Sequence, residues 1–595
     1  MVSSGGGKCS NHGRRRITFA ALLIAGILVV ALLGFPTGLD ERIKSTTVGI
    51  LGDELKNDIV ALYSGLFARR IETEDMVPMR NTGVNPFGIN VFLEQEVDED
   101  KIRRSLQMIK DAGFGWIKQQ VLWSEIEIPE KGQHYDEKNG VANTWDKWDR
   151  IVDLAREYSL GVIMRLDTSP QWARPDNLKI ETPPDHYDDY GDFVYSVVSR
   201  YRGKVQHFII WNEPNTTFEW GNRPVNAAEY VRLLQVAYKR AKEANPDAVV
   251  ISAPLAPTIE ESERAMNDVV FLQQMYDAGA KGWFDVVSAN PYGLRSGPFD
   301  RRLEWDDVNF SRPMLIREVM VRNGDSDKPV WGSEMGWNAL PPDFPEEPIF
   351  GRVTRQQQAE YTVKGYERIL EEWPWMGMAN IWHFRRVHQV NQNEQMYYFG
   401  VVENDFSPNP VYYAIKEMAG DSRHAYRGYH QETHWALSFD GGWRRQKDER
   451  ASLGAYMITE TSGSAIEFTF KGTELSLVLS KGPEMGRLRV EIDGTPARAN
   501  RLPRDENGNA YISERVDADL WQELVPVASG LDYGVHLVRI VTEPDGDDLE
   551  QRWAFDGFVV DSRRLDWARA SLGTTITLLG IVIGFAGARF AVRST

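Results

Sequence analysis

His207-Phe208-Ile209-Ile210-Trp211-Asn212-Glu213-Pro214-Asn215 decides the reading of this chain. It is a short β-rich run that breaks off in Asn-Glu-Pro, where a strand gives way to a loop. Working outward, the same kind of run recurs. Strand candidates fall at Phe87–Phe92, Trp116–Val121, Gly161–Leu166, His207–Trp211, Ala248–Ala253, Phe284–Ala289, Pro329–Ser333 and Met378–Trp382. Amphipathic helices lie between them. Ile102, Leu106 and Ile109 share one face after the first run, and Trp148, Ile151, Leu154, Ala155 and Tyr158 share one after the second. Phe193, Val194, Val197, Val198 and Tyr201 form the third stripe; Tyr230, Val231, Leu234, Ala237, Tyr238 and Ala241 form the fourth. Eight such units over 84–420 predict a (β/α)8 TIM barrel. An open doubly wound sheet is the rival, but no glycine-rich phosphate loop follows the first strand.

From about 430 the alternation of helix and strand stops. Ile466, Phe468 and Phe470 alternate, as do Leu475, Leu477 and Leu479, then Leu488, Val490 and Ile492 before the turn Asp493-Gly494. An all-β, jelly-roll-like sandwich is expected over 430–562. Its Trp435, Trp443, Trp521 and Trp553 suit either a sugar platform or a packed core, with core the better reading for most. The domain is either a spacer or a carbohydrate binder.

Two apolar segments frame the folded part. Residues 17–35 carry no charge and follow Arg14-Arg15-Arg16; 570–588 carry none and precede Arg589 and Arg593. Each is long enough to span a hydrocarbon core of ~30 Å. A cleaved signal peptide is the rival for the first, though no small-x-small cleavage site follows it. The basic cluster makes 1–16 a cytoplasmic tail. Residues 36–83 read as a stalk, and everything between the spans is expected outside the cell, at the cell membrane.

The net charge of −18 over 595 residues argues against nucleic acid, which needs clustered Lys and Arg. Cys9 is the single cysteine, so no intrachain disulfide can form. The 19 Trp and 22 Tyr suit the flat apolar faces of sugars, although large barrels carry many aromatics in any case.

In a barrel of this kind, function gathers at the C-terminal ends of the strands. Strand four ends in Asn212-Glu213-Pro214 and strand seven in Ser333-Glu334-Met335-Gly336-Trp337. Each places one glutamate at the rim, on nearly opposite sides of the mouth. Two facing carboxylates are what glycosidic bond cleavage needs: one protonates the leaving oxygen and the other attacks the anomeric carbon.

These motifs resemble clan A glycoside hydrolases, and within that clan they are most similar to families 39 and 5. The resemblance rests on Trp211-Asn212-Glu213-Pro214, on Ser333-Glu334 with its aromatic sequel, on Leu122–Gly132 after strand two and on Ser169–Ala173 after strand three. It covers the barrel only. It implies a retaining β-glycosidase in which Glu213 is the acid/base and Glu334 the nucleophile. It further implies that Asn212 binds the sugar 2-hydroxyl, Tyr292 hydrogen-bonds the nucleophile and Trp382 floors the −1 subsite. Trp172 is either a substrate platform or packing. Many relatives carry a histidine near strand six, whereas Ser288-Ala289-Asn290 has none. Lys118 and Arg165, inside strands two and three, either point into the site or, the better reading, are structural ion-pair partners. His207 and His383 are isolated, and neither a metal nor any other cofactor is expected. The partner is a carbohydrate. The competing functions are a surface transglycosylase, which would use the same residues, and a non-catalytic polysaccharide receptor.

Overall fold

The computed structural model describes residues 71–387, 392–499, 502–546 and 550–562. Segments 17–35 and 570–588 and most of the expected stalk lie outside the described residues. Among the described residues no helix is long and apolar enough to cross a membrane. Arg70–Pro298 and Leu303–Ser562 form one compact unit.

Its first part is a closed barrel. Strands β1 (Phe87–Val91), β2 (Trp116–Leu122), β3 (Gly161–Asp167), β4 (His207–Ile210), β5 (Val249–Ile251), β6 (Val287–Ala289), β7 (Val330–Met335) and β8 (Met376–Ile381) pair in parallel, in sequence order, with β8 returning to β1. Parallel bridges Ile251–Val286 and Leu255–Ala289 join β5 to β6. One helix follows each strand: α1 (Glu99–Asp111), α2 (Asp146–Glu157), α3 (Tyr187–Arg200), α4 (Ala227–Ala244), α5 (Asp268–Asp277), α6 (Pro313–Arg322), α7 (Arg355–Glu372) and α8 (Pro410–Asp421). The apolar stripes on the first four are the buried faces. Asp98, Asn226, Asn267 and Thr354 cap their helices, accepting backbone N–H groups that the first turn leaves unpaired.

The interior is filled rather than hollow. Ile163, Ile209, Ile251, Val286, Trp331 and Met378 make one cluster, and His207 packs between Trp116 and Trp331 with ring centres 5.0 and 5.1 Å away. That burial pulls the His207 imidazole down to about 4, so it stays neutral. Gly88 lets β1 approach β8, because a Cβ there would lie 2.2 Å from the Asn380 amide oxygen. Residues 71–83, the end of the expected stalk, fold onto this barrel. Buried Arg317 donates to Thr73 O at 2.8 Å and Trp331 Nε1 to Asn81 O at 2.8 Å.

The second part, from Gly428 to Asp561, pairs its strands antiparallel and forms six-, four- and three-stranded sheets. Ile466, Phe468 and Phe470 from the larger sheet share one buried cluster with Leu475, Leu477, Leu479 and Phe558 from the four-stranded one. Two sheets sharing a core make a sandwich. Trp553 lies inside, with Nε1 donating to Arg487 O and Glu543 O. Trp443 packs against the same core. Trp521 is half-buried, with Arg450 4.3 Å above its ring. The sandwich is tied to the barrel by Lys471–Glu371 at 2.6 Å and by Trp435 N donating to Gly83 O at 2.8 Å.

Candidate active site

The site is built where strands β4 and β7 stop. After Ile210 the backbone takes positive φ at Trp211 (+73°) and Glu213 (+35°), a region that costs L-residues energy and persists only when surroundings enforce it. The surroundings do enforce it. Trp211 N donates to Leu166 O at 3.0 Å, Glu213 N to Pro254 O at 3.0 Å, and the indole of Trp211 to Glu219 O at 2.8 Å. Tyr230 of α4 buttresses the strand end, donating to Ile210 O at 3.1 Å while accepting from Ala253 N at 2.6 Å.

Glu334, still inside β7, is buried among donors. Lys118 Nζ reaches its Oε1 at 3.0 Å, Arg165 Nη1 stands 3.7 Å from the same oxygen, and Tyr292 OH donates to Oε2 at 2.9 Å. Burial by itself would push this carboxyl up. The charges of Lys118 and Arg165 and the hydrogen bonds from Lys118 and Tyr292 outweigh it and hold Glu334 below the ordinary carboxylate range. Burial pulls the Lys118 ammonium down, and its pairing with Glu334 opposes that. Tyr292 is raised well above its ordinary value by burial and by the charges of Glu334 and Glu213, so it remains a neutral donor.

Glu213 has a different neighbour. Asn290 Nδ2 donates to its Oε1 at 2.7 Å. Enclosure by protein, then the charge of Glu334, then that of Glu219, raise Glu213 to about 8, against the opposing pull of Arg165 and Lys118. One glutamate of the pair therefore keeps its proton at neutral pH while the other is ionised.

Around this pair the charges interlock. Arg165 Nε pairs with Asp167 at 2.7 Å, and Gln120 donates to the other oxygen of Asp167 at 2.9 Å. Arg165 Nη1 donates to Asn212 Oδ1 at 3.2 Å, and Asn212 in turn bonds Glu219. Burial raises Glu219 to about 7. Below, Asn90 Nδ2 donates to Ser333 O at 3.0 Å and Ile381 O at 3.1 Å, stitching β7 to β8 under Glu334.

Of the residues singled out in the sequence, the structure brings Glu213, Glu334, Asn212 and Tyr292 into one network. Trp382 follows β8 through a cis peptide to His383, and its N donates to Met335 O at 2.8 Å, next to Glu334. Trp172 is half-buried; its indole donates to Glu127 O at 2.7 Å and its ring meets Trp123 edge-on at 5.5 Å. His383 is a buried neighbour of Met396 O. Lys118 and Arg165 are ion-paired as expected, Lys118 with Glu334 and Arg165 with Asp167, and Arg165 also stands 3.7 Å from Glu334, so both belong to the site and not merely to the scaffold. Asn290 was not singled out at all. The signal for it was its place at the end of β6, two residues before Tyr292.

No protein-family model and no curated protein matches the chain. Among solved structures it is similar to a family 39 glycoside hydrolase from the gut symbiont Bacteroides cellulosilyticus WH2, at 17% identity over 80% of this chain and 82% of that one, with a TM-score of 0.45. It is also similar to a monomeric β-xylosidase from Caulobacter crescentus CB15, at 12% identity over 80% and 99% of the two chains and a TM-score of 0.41. A third is an exo-β-1,4-mannosidase, Op5Man5, from Opitutaceae bacterium strain TAV5, at 15% identity over 59% and 62% and a TM-score of 0.42. The (β/α)8 barrel is the architecture that the clan A resemblance implies, and the β-rich region after it is the one expected from the alternating strands.

Proposed function

We propose that this chain is a retaining glycoside hydrolase that cleaves β-glycosidic bonds of extracellular or cell-surface glycans by double displacement. The observation that carries the reading is the unequal pair. Glu213 is held protonated to about 8 and Glu334 is held ionised, each at the end of a barrel strand. A protonated carboxyl can deliver its proton to the leaving oxygen, and an ionised one can attack the anomeric carbon to form a glycosyl-enzyme. Water activated by the now ionised Glu213 then releases the sugar.

The neighbours have matching tasks. Lys118 and Arg165 keep the attacking carboxylate charged, and Tyr292 orients its second oxygen. Asn290 fixes the rotamer of Glu213. Asn212 uses one amide N–H toward Glu219 and has a second to offer the sugar 2-hydroxyl. Trp382 supplies an apolar wall for the sugar ring. Segments 17–35 and 570–588 hold the catalytic region at the outer face of the cell membrane, a placement supported by Arg14–Arg16.

The test is turnover of a panel of aryl β-glycosides and β-linked polysaccharides by the full chain, with the first-formed anomer read by proton NMR. Retention of the β configuration supports the proposal. Inversion would remove the double displacement, and no turnover across the panel would remove the glycosidase.

A further inference from the structure

Arg386 lies four residues beyond Trp382 in the loop after β8. Its guanidinium carbon stands 4.3 Å from the Phe92 ring centre and 5.6 Å from that of Trp382. The two rings meet edge-on at 5.5 Å. Trp382 N is anchored to Met335 O, next to Glu334, and the Glu334 carboxylate and Tyr292 act on the Arg386 charge through space, so the cation lies beside the Glu334 site.

The other cations around that site are matched. Lys118 has Glu334, Arg165 has Asp167, and the adjacent Arg385 has Glu96 at 2.8 Å. Arg386 is half-buried and, among the described residues, makes no hydrogen bond and no ion pair; its Nε is sealed from solvent without an acceptor. Glu394, Glu334 and Glu94 act on it through space only. Stacking on Phe92 compensates part of the lost hydration, but a ring face leaves the N–H donors unused. Withdrawing a cation from water without a partner is costly, so such a group in a cavity marks the place of an anion that arrives with the ligand. A guanidinium offers a planar fork of donors, the complement of a carboxylate.

We propose that Arg386 receives a carboxylate carried by the glycone, so that the substrates are β-linked uronosides. This rests on the glycosidase reading above. A neutral hydroxymethyl group would take one hydrogen bond and leave the charge uncompensated. A uronate carboxylate satisfies both, and it adds a specificity contact at the edge of the Trp382 wall.

The experiment compares matched 4-nitrophenyl β-uronides and neutral β-glycosides of gluco, galacto and manno configuration, with 6-sulfated glycosides as a third arm, on the full chain. In at least one pair the uronide should be preferred by about 10-fold or more in kcat/KM. Arg386→Gln should lower uronide turnover about 10- to 100-fold more than that of its neutral counterpart, the range for a hydrogen bond to a charged group. Arg386→Lys should restore part of the difference. Preference for the neutral member in every pair, or equal losses on both members in Arg386→Gln, would overturn the proposal. Preference for the sulfated arm would overturn the carboxylate. Calorimetric binding of free uronates to the Glu213→Gln full chain separates this proposal from the parent reading. Binding that vanishes on adding Arg386→Gln upholds the carboxylate site even where no glycoside is hydrolysed, and absence of binding overturns it.

Discussion

Glu213 and Glu334 are the same side chain at the ends of two strands of one barrel, and what faces them differs. Glu334 meets Lys118, Arg165 and the Tyr292 hydroxyl; Glu213 meets the amide of Asn290. Enclosure by protein pushes both carboxyls up. At Glu334 two cations reverse the sign, and the negative charge they fix there adds to the rise at Glu213. Identical residues thus acquire opposite protonation states from their neighbours, and the two environments depend on each other.

The largest expected break is Glu334→Ala. With no nucleophile, turnover of every substrate should fall to the uncatalysed rate; residual activity within a few-fold of the parent would dissociate Glu334 from catalysis. Glu213→Ala should be selective instead. Substrates with poor leaving groups should lose about 10²–10⁴-fold in kcat/KM, the usual worth of general acid–base assistance, while activated aryl glycosides still form the intermediate. The same variant tests the pH dependence. Because Glu213 must carry its proton, parent activity should hold below about pH 8 and decline as pH rises through that value. Glu213→Ala should lose this alkaline limb, and its persistence would assign the limb to another group.

Lys118→Met sharpens the comparison from the other side. Without the cation, burial dominates at Glu334, so the acid limb of the kcat/KM profile should move up by about 1–3 pH units, the range for loss of an adjacent opposite charge. An unmoved limb would mean that Arg165 and Tyr292 suffice. A third enclosed glutamate gives the smallest effect. Glu514 in the sandwich is fully buried with one oxygen unpartnered, and burial raises it well above its ordinary value. The folded state keeps the proton that the unfolded chain releases above ~4.3. Stability from this group is therefore lost as pH rises from there, by about 1.4 kcal/mol per pH unit until the folded group itself titrates. Glu514→Gln should flatten urea-unfolding stability between pH 5 and pH 7; an unchanged slope would locate the titration elsewhere.

The barrel was legible because its strands are apolar runs bounded by loops and its helices keep a 3.6-residue stripe. β5 and β6 are the shortest, three residues each against the six expected: β5 gives way to its rim loop after Ile251, and β6 is entered late, with Val286 held to Ile251 only by an isolated bridge. Glu213, Glu334 and Tyr292 could be read from their places at strand ends. Lys118 and Arg165 were undervalued, although a charged residue inside an otherwise apolar strand such as Met164-Arg165-Leu166 must find a countercharge in the barrel. Which countercharge it finds depends on reach across the mouth, a tertiary fact that local pattern does not carry. Arg386 was invisible for the same reason: what marks it is the missing partner, and only coordinates show a missing partner.

The assignment of roles is tested most directly by azide rescue with an activated aryl β-glycoside. In Glu213→Ala the intermediate should form on Glu334, azide should attack its far face, and the product should be the β-glycosyl azide. In Glu334→Ala azide takes the nucleophile's place, so any product should be the α-azide. The reverse pattern of anomers would contradict the account.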